Sequence, residues 1–204
     1  EGTLTTDPTL WEIMHRKLGT WESHGARYWR RYCAGELAYD DFARLDVAAW
    51  KGAASALLDQ AAAEVPLMPG CRELLDALHC RGIRTAIISN GLLRLARRLK
   101  RECGVSCALA NREIVRRGSL TGGLDILVPY EAKGAALQRL MTRFRARKDQ
   151  TAAVGDSRAD CAMFDVAGLG IAFRPSDAFV RTRGHHVVEA PDLRQVGAIL
   201  LNSA

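Results

Sequence analysis

The sequence predicts an α/β fold in which a doubly wound parallel sheet carries helices on both faces, with an inserted α-helical segment and a small β-hairpin flap. Three observations support it. From about residue 71 onward, short apolar strands alternate with helical stretches, the pattern of parallel strands joined by crossover helices. All four tryptophans (11, 21, 29 and 50) lie in the first fifty residues, a composition shift that suggests a separate unit there. The apolar run at 151–154 breaks at Gly155-Asp156, as a buried strand does when it delivers an acidic turn at its C-terminal end.

Taken in order, Asp7-Pro8 reads as a helix N-cap followed by proline at the first helical position. The pattern stays helical to about Gln60, with breaks expected near Gly19, Gly25 and Gly35, and Val65-Pro66 and Met68-Pro69-Gly70 mark a boundary. Residues 71–81 form a helix with leucines 74, 75 and 78 on one face and Gly82 as its stop. Arg84–Ser89 is a buried strand ending at Asn90-Gly91, and a helix follows. Residues 108–128 alternate and contain Gly118 and Gly122-Gly123, which predicts the hairpin. A helix from about Ala132, a strand at 151–154, a helix at 159–167 and a strand at 169–173 continue the alternation. A small strand near His186–Val188 and a helix from about Asp192 complete it.

Composition narrows the classes of function. Apolar content of 48% and charged content of 25% are those of an ordinary globular protein, and no apolar run approaches the roughly 18 residues that cross a membrane. Glu1-Gly2-Thr3 lacks the basic and apolar regions of a signal peptide. The six cysteines are scattered, which argues against a zinc site or disulfide framework and for a reduced, cytoplasmic compartment. A net charge of +6 suits a phosphorylated substrate. Nucleic acid is disfavoured: the basic run from Arg94 to Arg101 has no aromatic residue to stack a base, and leucines 92, 93, 95 and 99 give it a buried helical face.

The motifs that carry chemistry come next. Asp156 and Asp160 stand four residues apart, about one helical turn, so both carboxylates can face one crevice. Two hard oxygen donors beside a turn suit Mg2+, which takes one or two carboxylates and keeps waters and phosphate oxygens. On its own the pattern fits equally well a helix N-cap at Asp156 with a solvated Asp160. Ser89-Asn90-Gly91 offers a hydroxyl and backbone N–H groups at a strand end, an anion-binding arrangement or a plain strand–turn–helix junction. Lys133 falls near a helix N-terminus, where a cation is mildly unfavourable unless an anion is nearby. Glu1-Gly2-Thr3-Leu4-Thr5 is a carboxylate followed by a turn carrying hydroxyls.

In order and spacing these four elements resemble the haloacid dehalogenase superfamily, and within it the phosphoserine-phosphatase-like branch with a helical cap on a Rossmann-like core. The residues that carry the resemblance are Glu1-Gly2-Thr3-Leu4, Ser89-Asn90-Gly91, Lys133, and Gly155-Asp156 with Asp160. The stretch A-G-L-G-I-A-F at 167–173 is also like that branch. The resemblance implies a Mg2+-dependent, two-step phosphoryl transfer through an aspartyl-phosphate. It assigns the metal to Asp156, with support from Asp160 and the backbone carbonyl of Glu1. The Glu1 side chain becomes the general acid and then the base, and Ser89 and Lys133 bind the phosphoryl oxygens while Asn90 and Gly91 shape the phosphate loop. It also divides the chain into a cap over residues 8–66 and a core over 1–7 and 67–204.

The sequence departs from the family pattern at several points. The family nucleophile is an aspartate two positions before the residue matching Glu1, on the central strand. The expectation is therefore that the protein has this strand and that the sequence is truncated or broken at its N-terminus. Glu1 replaces the commoner aspartate, and Ala159 stands where the branch usually carries asparagine. In the cap, Asp46 aligns with the arginine that binds the substrate carboxylate, with Arg44 two residues away. The position of an early glutamate falls near Asp7 or Pro8, with Glu12 one turn on. An anionic Asp46 would repel a carboxylate, which favours a phosphorylated alcohol, sugar or amino compound over phosphoserine. The leading expectation is a phosphomonoesterase acting on a small phosphorylated metabolite, with neither nucleic acid nor membrane as partner. The alternatives are a phosphotransferase or mutase on the same scaffold, or a non-catalytic binding protein. Nothing in these motifs specifies an oligomeric state.

Overall fold

The computed structural model describes residues 1–202. The chain begins with a helical layer: α1 (Leu10–Lys17), a π-helical turn (Trp21–Gly25), α2 (Ala26–Cys33), α3 (Tyr39–Ala49) and α4 (Ser55–Glu64). The N-cap of α1 is Thr9, whose Oγ1 accepts from the Glu12 N–H at 3.2 Å, so Asp7-Pro8 is not the helix start expected for it. Gly19 and Gly35 end helices at positive φ, but Gly25 does not break the chain. A Cβ at Gly25 would lie 2.6 Å from the Trp21 ring and 2.8 Å from that of His15, so its role is close packing rather than a stop.

The alternating part follows as α5 (Cys71–Cys80), β1 (Ala86–Leu92), α6 (Leu93–Glu102), β2 (Cys107–Arg116), β3 (Ser119–Asp125) and α7 (Lys133–Phe144). It continues as β4 (Ala152–Gly155), α8 (Arg158–Val166), β5 (Leu169–Phe173), α9 (Ala178–Arg183), β6 (His186–Val188) and α10 (Leu193–Asn202). Two details differ from expectation. Strand β1 continues past Ser89, and its register with β2 shifts between Ile88 and Leu92, so Ser89-Asn90-Gly91 is an irregularity within the strand rather than a turn after it. The short α9, capped by Asp177 accepting from the Val180 N–H, was not anticipated. Its six residues are too few to leave a periodic signal.

The strands form two three-stranded sheets, β1-β2-β3 and β4-β5-β6. All pairs are parallel except the β2–β3 hairpin. Strands β1 and β4 are not paired with each other, and a cavity of about 2560 Å³ lies between them and extends beneath the helical layer.

One apolar cluster joins the helical layer to both sheets, and a second lies around α7 and α8. Met14, Val47, Trp50 and Leu58 belong to the same apolar cluster as Leu75, Leu99 and Phe173. Trp11 and Trp50 are core residues, whereas Trp29 is 49% exposed, so the tryptophans do not act as one group. The basic run on α6 binds neighbouring elements: Arg94 pairs with Glu113 and Asp59, and Arg98 donates to the carbonyls of Ala62 and Val65. At the anticipated boundary Thr5 bridges Leu67, with Thr6 N–H on Pro66 O at 3.1 Å and Met68 N–H on Leu4 O at 2.9 Å. The chain therefore enters and leaves the helical layer side by side.

Candidate active site

Strand β4 carries the acidic turn to the end of its sheet, where Ser176 N–H holds the Asp156 carbonyl at 2.8 Å. Ser157 is the N-cap of α8, and Asp160 completes a capping box with it. The Asp160 Oδ2 atom accepts from the backbone N–H groups of Asp156 (3.0 Å) and Ser157 (2.9 Å) and from the Ser157 hydroxyl (2.8 Å). Its Oδ1 takes Lys133 Nζ at 2.7 Å. Burial alone would push Asp160 up, but Lys133 and the Ser157 donors outweigh it and hold the carboxyl below the usual aspartate range. With both oxygens taken, Asp160 shapes the turn and anchors Lys133 beside Asp156.

Asp156 is differently placed. Its Oδ1 accepts from Thr3 Oγ1 at 2.6 Å. Gly2, at φ +84°, packs so closely that a Cβ there would lie 2.3 Å from Asp156 Oδ2. Burial, and then the charge of Asp160, raise the Asp156 carboxyl above its ordinary value. A nearby cation would relieve both costs.

Glu1 lies beside Ser89 and Gly91. Its Oε1 accepts from the Leu10 N–H at the start of α1, at 2.5 Å. A Cβ on Gly91 would lie 3.3 Å from Glu1 Oε2 and 3.2 Å from Ser89 Oγ, so these three residues meet at one point. Ser89 Oγ also accepts from the Gly91 N–H at 3.0 Å. The Asn90 side chain turns away, with Nδ2 donating to Val128 O at 2.9 Å, so it braces the loop rather than presenting a donor. Glu1, Ser89, Lys133, Asp156 and Asp160 all line the cavity.

The cap residues separate. Asp7 and Glu12 line the cavity, Glu12 while paired with Arg16. Asp46 also lines it, is buried, and pairs its Oδ1 with His15 Nε2 at 3.0 Å. Arg44 is exposed and paired with Asp41, and it does not line the cavity. Sequence reasoning missed three tyrosines. Tyr39 stands 5.6 Å from Tyr32 and 5.5 Å from Tyr130, ring centre to ring centre. Burial, and then the Glu1 charge, push the Tyr39 hydroxyl well above its ordinary value, so it stays protonated. The Tyr32 and Tyr39 spacing was visible, but nothing in the sequence brings Tyr130 to them.

The donors present fit Mg2+ by chemistry. Among the described residues no three His, Cys, Asp or Glu side chains converge as a cage. Mg2+ needs only one or two carboxylates, and among the described residues Asp156 Oδ2 has no hydrogen-bond donor competing for it.

Comparison with known proteins shows the family. The profile of the haloacid dehalogenase-like hydrolases matches residues 1–165. The chain is 32% identical to the phosphoserine phosphatase of Streptococcus thermophilus over 83% of its own length and 79% of that protein's. It is 34% identical to that of Haemophilus influenzae over 81% of its length, while spanning 53% of that longer relative. A substrate-bound phosphoserine phosphatase complex superposes with a TM-score of 0.87 at 27% identity, covering 98% of this chain and 94% of that one. A phospho-aspartyl intermediate analogue of phosphoserine phosphatase gives 0.86 over the same shares. The chain belongs to the haloacid dehalogenase-like hydrolases. Within that family it is phosphoserine-phosphatase-like, an enzyme of the phosphatase class. No helix among the described residues is long and apolar enough to cross a membrane.

Proposed function

We propose that this protein is a Mg2+-dependent phosphomonoesterase that hydrolyses a small phosphorylated metabolite through an aspartyl-phosphate. The observation that carries the reading is Asp156: a half-buried carboxylate, raised by desolvation and by Asp160, oriented by Thr3 and packed against Gly2. When bound there, Mg2+ would neutralise phosphoryl charge and be held by Asp156 and the Glu1 carbonyl.

The chain's own residues supply the rest. Lys133 has three ammonium donors and gives one to Asp160, leaving two for phosphoryl oxygens, which the Ser89 hydroxyl also binds. The family resemblance assigns the nucleophile to an aspartate two positions before the residue that matches Glu1. Its carboxylate attacks phosphorus as the bond to the leaving alcohol breaks, and Glu1 protonates that oxygen. Glu1 then takes a proton from the water that attacks the aspartyl-phosphate, releasing inorganic phosphate. The Leu10 N–H keeps the Glu1 carboxyl aimed at the site through both steps.

The test is turnover of a panel of phosphomonoesters by the full-length protein with and without Mg2+. Turnover that requires Mg2+ and disappears in Asp156→Ala supports the reading. No turnover of any ester, or metal-dependent activity surviving in Asp156→Ala, would overturn it.

A further inference from the structure

Taking the phosphatase reading as given, we propose that the substrate is the phosphomonoester of an amino or quaternary-ammonium alcohol that carries no carboxylate. The part of the cavity facing residues 1–66 carries four acidic side chains, Glu1, Asp7, Glu12 and Asp46, and no lysine or arginine. Aromatic rings also line that wall. Tyr32, Tyr39 and Phe42 form a contiguous set with centroids 5.5 to 5.8 Å apart, and Tyr130 joins it against Tyr39.

Aromatic faces with nearby carboxylates are the environment that an organic cation prefers, because each ring presents its negative face and the acids add net charge. The same wall rejects an anion. A substrate carboxylate would lose its water against Tyr39 and Phe42 and find no cation on the cap side. At the other side, Lys133 is held by Asp160 and Arg158 by Asp177, at the end of the cavity that receives the phosphoryl group. The remaining basic residues of the lining precede Ala86 and Ala152, at the opposite end of β1 and β4.

Asp46 and Glu12 contribute in different ways. His15 already pairs with Asp46, which makes that side chain part of the wall's framework. Glu12 is less buried and is engaged through Oε1 by Arg16, which leaves Oε2 for a cationic group. Glu12 is therefore the side chain that sets the charge preference of the pocket.

The experiment measures kcat/KM of the full-length, Mg2+-loaded protein for O-phosphoethanolamine, phosphocholine, O-phospho-L-serine, propyl phosphate and p-nitrophenyl phosphate. The expected result is a preference of about tenfold or more for one of the first two over both O-phosphoserine and propyl phosphate. In Glu12→Arg the ratio of amino-alcohol phosphate to O-phosphoserine should fall by about tenfold. A preference for O-phosphoserine or for propyl phosphate overturns this inference and leaves the phosphatase reading standing. So does a ratio unchanged in folded Glu12→Arg. Failure to turn over any ester, p-nitrophenyl phosphate included, removes both.

Discussion

Asp160 folds back over Gly155 so closely that a Cβ at Gly155 would lie 2.3 Å from both Cβ and Cγ of the aspartate. Strand β4 can thus end against the carboxylate that caps the next helix only because Gly155 has no side chain. Gly155→Ala must push Asp160 away from its four donors. It should lower stability by about 2 kcal/mol, the scale of overpacking, and cut turnover at least tenfold. Chemical denaturation and steady-state kinetics on the same preparation check both.

Lys133→Ala leaves Asp160 buried without its cation. Breaking such a pair costs about 3–5 kcal/mol, which denaturant melts would reveal. The pair also sets an acid limit. Because the folded state holds Asp160 below its ordinary value of 3.8, the stabilisation is complete above that pH and is lost as pH falls through the lower, folded value. Wild-type stability should decline on acidification below about pH 4, and the variant should lose this share of the decline.

Asp156 has the opposite sign. Its folded value is raised above 3.8, so the folded state binds the proton more tightly than the unfolded one. Its contribution in metal-free protein therefore falls as pH rises from 3.8 through the raised value, and the cost is complete above it. Asp156→Asn should accordingly stabilise metal-free protein at neutral pH. Mg2+ at a hundred times its Kd should stabilise wild type by about 2.7 kcal/mol at that pH and have no effect on the variant. Calorimetry with and without the metal measures both. An equal Mg2+ response in the two proteins would contradict the metal assignment.

Thr9→Ala removes the cap of α1, a loss of about 1 kcal/mol or roughly 2–4 °C in Tm for a domain of this size. Because Leu10 N–H holds Glu1, fraying at this point should also lower kcat more than it raises KM. A fall in Tm with unchanged kcat would separate the helix cap from the role proposed for Glu1.

The sequence made the strand–helix alternation and the Gly155-Asp156 turn legible because both depend on local patterns: apolar runs, glycine breaks and acid spacing. Local spacing alone did not reveal the division of labour between Asp156 and Asp160, which only the family resemblance implied. Identical side chains four residues apart differ in part because Thr3 reaches one and Lys133 the other, over separations of 153 and 27 residues. The helix start at Asp7-Pro8 was misread because Thr9 competes for the same role and has the better-placed hydroxyl. The tyrosine cluster was invisible for a similar reason: Tyr130 joins Tyr32 and Tyr39 through tertiary packing alone.

The bridge between Thr5 and Leu67 has an evolutionary consequence. Since the two crossings are hydrogen-bonded neighbours, everything between them could be exchanged for a different helical layer without rethreading the sheets or lengthening any connection. Substrate choice can then drift by replacing one self-contained stretch of chain, while Asp156, Lys133 and Ser89 stay fixed beneath it. Any replacement must still cover α6, where the carbonyls of Ala62 and Val65 now accept from Arg98, and must restore the bridge from Ala54 to Ser119 on the hairpin.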